Sequence, residues 1–181
     1  VVDMSDVEEI EEEEVTAKED IPESQEQEKA VLEPHNFRIQ DNDLGAGGPK
    51  AKYKTNMEAI HLLQTLEKEE RLATPEEQEI LSRYVGWGGI PQAFEESNSS
   101  WANEYLELKN TLSPEEYSAA RASTLNAFYT SPTVIRSMYE VLENMGLKQG
   151  NILEPSCGVG NFMGLIPESM GKANMLSLIH I

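Results

Sequence analysis

The residues whose types and spacing point most directly to chemistry are Ile152-Leu153-Glu154-Pro155-Ser156-Cys157-Gly158-Val159-Gly160-Asn161-Phe162. A short apolar run here delivers the Glu154 carboxylate at its C-terminal end, the place where open α/β sheets bind ligands. Gly158 and Gly160 let the backbone approach a bound molecule closely, and the helix expected from Asn161 to Ile166 offers unpaired N–H donors at its start. Strand, glycine loop and helix in this order suit a nucleoside that carries charged groups. A dinucleotide site has the same outline, but its fingerprint is G-x-G-x-x-G. Here Met163 stands at the third glycine position and the glycine is delayed to Gly164, with Glu154-Pro155 ahead of the loop. That spacing disfavours a nicotinamide- or flavin-dependent oxidoreductase. Cys157 lies inside the loop with no histidine near it in sequence, so it is read as a small loop residue and not as a nucleophile.

A second segment, Asn126-Ala127-Phe128-Tyr129-Thr130-Ser131-Pro132, precedes the first. Taken alone, Tyr129 reads as a core aromatic and Pro132 as a helix starter. Taken together, the two segments resemble the amino-methyltransferases of DNA. The first cofactor motif of that family reads Asp or Glu, Pro, two small residues, Gly, x, Gly, Asn or Ser, Phe, and matches Glu154 to Phe162. Its companion motif, in the adenine-N6 enzymes whose cofactor motifs come first, resembles Asn126 to Pro132. The resemblance implies S-adenosyl-L-methionine as cofactor. It also implies that Tyr129, Thr130 and Pro132 line the pocket near its methionine part, that Glu154, Gly158 and Gly160 form the floor, and that Asn161 and Phe162 close the loop.

A longer resemblance covers Asn36 to Ala173. It is similar to the methyltransferase region of large methyltransferase-helicase fusion proteins of bacterial conjugative elements and phages, of the DarB-like antirestriction type. It is carried by Asn36-Phe37-Arg38-Ile39, Leu44-Gly45, Gly48-Pro49-Lys50 and Arg83-Tyr84-Val85-Gly86-Trp87-Gly88-Gly89. The resemblance implies DNA as the partner of the complete protein and a helicase region C-terminal in the same chain. Trp87 becomes a candidate contact to cofactor or DNA, against the alternative of a ring packed on a neighbouring helix.

The elements that must position these residues follow from pattern. His35 to Lys54 is rich in turn formers and reads as an irregular lead-in. From Asn56, Met57, Ile60, Leu63 and Leu66 recur at helical spacing to about Glu70. Thr74-Pro75-Glu76-Glu77 and Ser113-Pro114-Glu115-Glu116 read as capping boxes, each opening a helix. The first of these helices is expected to bury Ile80, Leu81 and Tyr84 and to stop at Gly86-Trp87-Gly88-Gly89-Ile90-Pro91. Trp101, Tyr105 and Leu108 mark another short helix. Ser131-Pro132 opens a helix with Ile135, Met138, Leu142 and Met145 on one side, ended by Gly146. The expected fold class is α/β: a helical N-terminal region followed by the truncated start of a Rossmann-like methyltransferase fold. The divisions are 1–34, an acidic linker; 35–125, the helical region; 126–175, the start of the cofactor domain; and 176–181.

Residues 1–34 hold 14 acidic side chains against Lys18 and Lys29 and no aromatic residue, too little apolar surface to offset chain entropy. The remainder carries a net charge of −7 of the total −19, so acidity says little about the folded part. Lys50, Lys52 and Lys54 form the one local basic cluster, a weak DNA signal against the alternative of a solvated loop. One cysteine cannot form an internal disulfide, and no apolar run approaches the ~20 residues that span a bilayer, which gives an intracellular, cytoplasmic expectation without a membrane partner. His35, His61 and His180 are dispersed, so no metal is expected.

The sequence contains no Asn/Asp-Pro-Pro-aromatic tetrad, the motif that holds a flipped adenine in an adenine-N6 enzyme. No catalytic residue is assigned, and methyl transfer by these 181 residues alone is not expected. Leu176-Ser177-Leu178-Ile179-His180-Ile181 is what CTG-TCT-CTT-ATA-CAC-ATC encodes, which looks like a transposase mosaic end used in sequencing libraries; the alternative is a genuine second strand. One strand and one helix also lead to an expectation of loose packing after about Gly146. A non-catalytic cofactor- or DNA-binding module attached to a helicase stays open beside the enzyme reading.

Overall fold

The computed structural model describes residues 37–177; the acidic segment 1–34 and the last four residues lie outside the described residues. The chain is mixed α/β, mostly helical, with a two-stranded parallel sheet. Proline opens α1 (Pro49–Glu69), α2 (Pro75–Ser82), α4 (Pro114–Ser123) and α5 (Pro132–Asn144). Its missing N–H costs nothing at a first helical position, and its fixed φ suits the helix. Both capping boxes form. Thr74 Oγ1 accepts from the Glu77 N–H at 3.3 Å, and Glu77 Oε2 accepts from the Thr74 N–H at 2.9 Å. Ser113 and Glu116 repeat the exchange at 3.2 and 2.7 Å. α3 (Ala102–Thr111) follows a 3₁₀ turn that carries Trp101.

α1 starts at Pro49, ahead of the expected Asn56, because Gly48-Pro49 supplies a helix entry where composition alone reads as turn. Its buried Tyr53 and Met57 meet Trp87, Ile90, Phe94, Trp101, Leu108 and Tyr117 in a first core. Trp87 is only 2% exposed, and its ring stands edge-on to Phe94 at 5.4 Å. It is therefore a core side chain and not a contact to cofactor or DNA. On α2, Ile80 and Leu81 are half-buried, and Tyr84 lies just past the helix end.

The second core joins Ile39, Ile135, Tyr139, Leu165 and Met170, with Phe37, Leu44, Ile152, Phe162 and Ala173 packed against it. The lead-in is irregular but it is a clasp. The Ile39 N–H donates to the Gly164 carbonyl at 2.8 Å, and Arg136 of α5 donates to the Ile39 carbonyl at 3.0 Å and to Asn42 Oδ1 at 2.9 Å. After Gly146 the clasp covers Gly164, Leu165 and Met170, while neither strand buries a residue. β1 (Gln149–Glu154) and β2 (Lys172–Ser177) pair in parallel, with Ile152 opposite Met175 and Glu154 opposite Ser177. α6 (Asn161–Gly164) connects them but is a single turn, shorter than the expected run to Ile166. β2 extends through Leu176 and Ser177, two of the residues read as adapter sequence. On α5, Ile135, Tyr139 and Leu142 face the core, whereas Met138 and Met145 are exposed, so the apolar side is rotated from the expected one.

The cap of α2 has a pH signature. Arg71 donates two hydrogen bonds to Glu77, at 2.6 and 2.7 Å. These bonds, and then the Thr74 N–H, hold the Glu77 carboxyl down at about 2. A depressed folded-state value contributes stability above the ordinary carboxylate range and loses it as pH falls toward 2. The pair lies at the surface, where solvent screens it, so the contribution is small. Glu77→Gln is expected to lower the thermal midpoint at neutral pH and to shrink its gap to wild type as the pH drops below the ordinary carboxylate value. A gap that stays constant down to pH ~2 would show that the pair does not set the local titration.

Candidate functional site

The segment between α4 and α5 places Tyr129. The Asn126 and Ala127 N–H groups both donate to the Ser123 carbonyl, and the chain then runs without regular structure to Ser131, the cap of α5. The Tyr129 ring lies between two glycines. A Cβ on Gly86 would come within 2.6 Å of the ring, and one on Gly158 within 2.7 Å. Both glycines have positive φ, +70° and +54°. A Cβ on Gly88 would overlap the Ala127 carbonyl oxygen. Three stretches distant in sequence therefore touch at this ring: the Gly86-Trp87-Gly88 turn, the Ala127–Tyr129 segment and the loop after β1.

Asn56 holds the first of these. Its side chain is fully buried, Nδ2 donates to the Gly86 carbonyl at 2.7 Å, and Oδ1 accepts from the Val85 N–H at 2.9 Å. Sequence reasoning saw Asn56 only as a helix residue. An amide inside an apolar helical stripe, at Tyr53, Asn56, Met57 and Ile60, was the available signal, because a buried amide needs partners.

The anticipated site residues do not all converge. Tyr129 is 38% exposed, and burial pushes its phenol up. Tyr84 rises to about 12, from burial and then from the neighbouring Tyr129. Thr130 is exposed, Pro132 is buried at the start of α5, and Asn161 Nδ2 donates to the Thr130 carbonyl at 3.4 Å. Gly160 has φ +83°, and a Cβ there would meet nothing within 4 Å, so the space above it is open. Glu154 is half-buried at the end of β1, and Oε1 accepts from the Ser156 N–H at 3.0 Å. Phe162 turns away from the loop: its ring packs 6.3 Å from that of Tyr139, whose hydroxyl donates to the Phe162 carbonyl at 2.7 Å. It supports the loop from the core side.

Two cavities meet at Asn161. One, of about 220 Å³, is lined by Lys52, Val85, Phe128, Tyr129, Thr130 and Pro132 among others. The other, of about 310 Å³, is mainly apolar and lies between Phe37, Leu81, Tyr84, Val159, Gly160 and Met163. Glu154, Gly158 and Phe162 line neither, and the side of Gly158 is taken by the Tyr129 ring, not left open as a floor. Of the basic cluster, Lys50 pairs with Glu104 and lies 4.2 Å over the Trp101 ring, and Lys54 lies 3.7 Å from Glu58. Cys157 is half-buried with a free thiol. Among the described residues no group of His, Cys, Asp and Glu could hold a metal, and no helix is long and apolar enough to cross a membrane. Compared with protein-family models, curated proteins and solved structures, the chain matches none.

Asn56→Leu strands a buried carbonyl and an N–H, at about 1–3 kcal/mol for each group left unpaired. Urea denaturation should report a loss of about 2–6 kcal/mol for the two groups together; a midpoint equal to wild type would mean the turn is held without Asn56. Gly158→Ala should displace the Tyr129 ring, whereas Gly160→Ala, with open space but the same positive φ, should not. Aromatic NMR shifts of Tyr129 separate the two, and identical shifts in both variants would contradict the slot.

Proposed function

We propose that the chain carries the S-adenosylmethionine-binding part of a DNA adenine-N6 methyltransferase, with β1, its glycine loop, α6 and β2 as the first units of a Rossmann-like sheet. The observation that carries the reading is the contact of the two motif segments: the Tyr129 ring rests on Gly158, and Asn161 donates to the Thr130 carbonyl. Two segments that only a shared pocket would require to match one family are neighbours in space.

The residues fit such a cofactor. Gly158 and Gly160 hold backbone angles that other residues resist, and the space over Gly160 is free of side chains. Glu154 stands at the C-terminal end of a parallel strand, the usual ligand edge of α/β sheets. When bound, S-adenosylmethionine supplies a methyl group on a sulfonium. The chain's own part is to hold and orient: Tyr129, Thr130 and Pro132 toward the methionine end, Glu154, Gly158, Gly160 and Asn161 beneath, and Phe162 bracing the loop from the core. Orientation accounts for most of what such a protein must add to the reaction. The 181 residues hold no Asn/Asp-Pro-Pro-aromatic tetrad, so the activity proposed for them is cofactor binding. DNA, a helicase region and a cytoplasmic setting belong to the proposal for the whole protein.

Isothermal titration of the chain with S-adenosylmethionine or S-adenosylhomocysteine is expected to give a saturable one-to-one isotherm, abolished by Gly160→Val. NAD should give none. Absence of binding by both sulfur nucleosides, or preference for NAD, would overturn the proposal.

A further inference from the structure

We propose that Lys52 is the anchor for the carboxylate of the cofactor's amino-acid end, a role that rests on the cofactor reading above. In the first turns of α1, Lys50 and Lys54 stand four residues apart and share a helix face. That face is occupied: Lys50 by Glu104, the Ser100 carbonyl and the Trp101 ring, and Lys54 by Glu58. Lys52 lies about 200° around the helix from Lys50, on the side that borders the Tyr129 cavity. It is half-buried and has no ion-pair partner among the described residues.

The cavity wall carries no Asp or Glu. Its polar side chains are Lys52, Tyr129, Thr130, Ser131 and Asn161. In a chain with a net charge of −19, this is a recess whose only formal charge is positive. No carboxylate of the described residues pairs with this ammonium, so it is free to meet an anion. At about 220 Å³ the recess is smaller than the ~300–1,000 Å³ of sites that enclose a whole ligand of drug size. It therefore takes one end of the cofactor, the amino acid, whose carboxylate meets Lys52 while its ammonium is left to the hydroxyl and amide oxygens of Tyr129, Thr130 and Asn161. Tyr129 and Thr130, which the motif places beside the methionine part, line the same recess, and Asn161 joins it to the larger apolar cavity where the rest of the molecule continues.

The test compares two ligands that differ at this end. S-adenosylhomocysteine carries the carboxylate, and 5′-methylthioadenosine keeps the adenosine and sulfur but lacks it. Titrations of the 181-residue chain, with circular dichroism to verify folding, are expected to show Lys52→Met weakening S-adenosylhomocysteine roughly tenfold or more, the order of one charge-assisted hydrogen bond. Binding of 5′-methylthioadenosine should change less than about twofold, and Lys52→Arg should retain most of the affinity for S-adenosylhomocysteine. Equal weakening of both ligands, or none, overturns the assignment while leaving the cofactor reading intact. Weaker binding of a short DNA duplex with S-adenosylhomocysteine unaffected also overturns it, by giving the lysine to a phosphate. A wild-type chain that binds neither nucleoside overturns both.

Discussion

An aromatic ring can come this close to two backbones only where both lack a Cβ, and the position of Tyr129 between Gly86 and Gly158 is such a place. Much of the site depends on it. The ring ties the end of the helical region to the loop after β1, and Gly88 against the Ala127 carbonyl makes the same join one step earlier. The turn with Gly86 is in turn fixed by the buried Asn56 amide, which satisfies one N–H and one carbonyl where water is excluded. A helix that looks in sequence like a separate module thus supplies one wall of the pocket and the residue that sets its position.

The second core rests on a similar exchange of glycine for close approach. A Cβ on Gly164 would come within 2.6 Å of the Ile39 side chain, and its carbonyl accepts from the Ile39 N–H. The glycine whose delayed position argued against a dinucleotide fingerprint is, in the fold, the seat for the lead-in segment. Two strands and one turn of helix would bury too little on their own. Ile39, Phe37 and Leu44 close one side of the cluster built on Ile135 and Tyr139. The other face of the sheet stays open, with Leu153 and Leu176 opposite one another and both exposed.

Local chemistry was legible in the sequence, and long-range chemistry was not. The boxes at Thr74 and Ser113, the proline starts of α2, α4 and α5, and the strand into Glu154 all depend on residues within four positions of one another. The start of α1 was misplaced because Gly48-Pro49 serves equally as turn and helix entry. The burial of Trp87 follows from Tyr53, Phe94 and the other aromatic residues of the first core, contributed by several elements, a set that no local window contains. Phe162 follows Asn161 in the motif, yet its carbonyl is claimed by Tyr139 from α5 and its ring goes with that bond. The resemblance implies one pocket shared by Tyr129 and Gly158 and not the ring lying against the glycine, and its other wall, Gly86, had no signal beyond the glycine itself.

The order in which these contacts are satisfied bears on how tightly a ligand can be held. The Tyr129 slot, the Asn56 clamp and the bond from Asn161 to Thr130 are all complete within the chain, so the cost of ordering that wall falls on folding and not on association. Glu154 is likewise oriented by the Ser156 N–H two residues on, through one oxygen, which leaves acceptor capacity on a carboxylate already fixed in place. Lys52 is different: a long side chain without an ion-pair partner among the described residues keeps its rotamer freedom until, on the proposed reading, an anion arrives. A site built this way gains its shape from the fold and, on the proposed reading, most of its ligand-dependent ordering from a single cation.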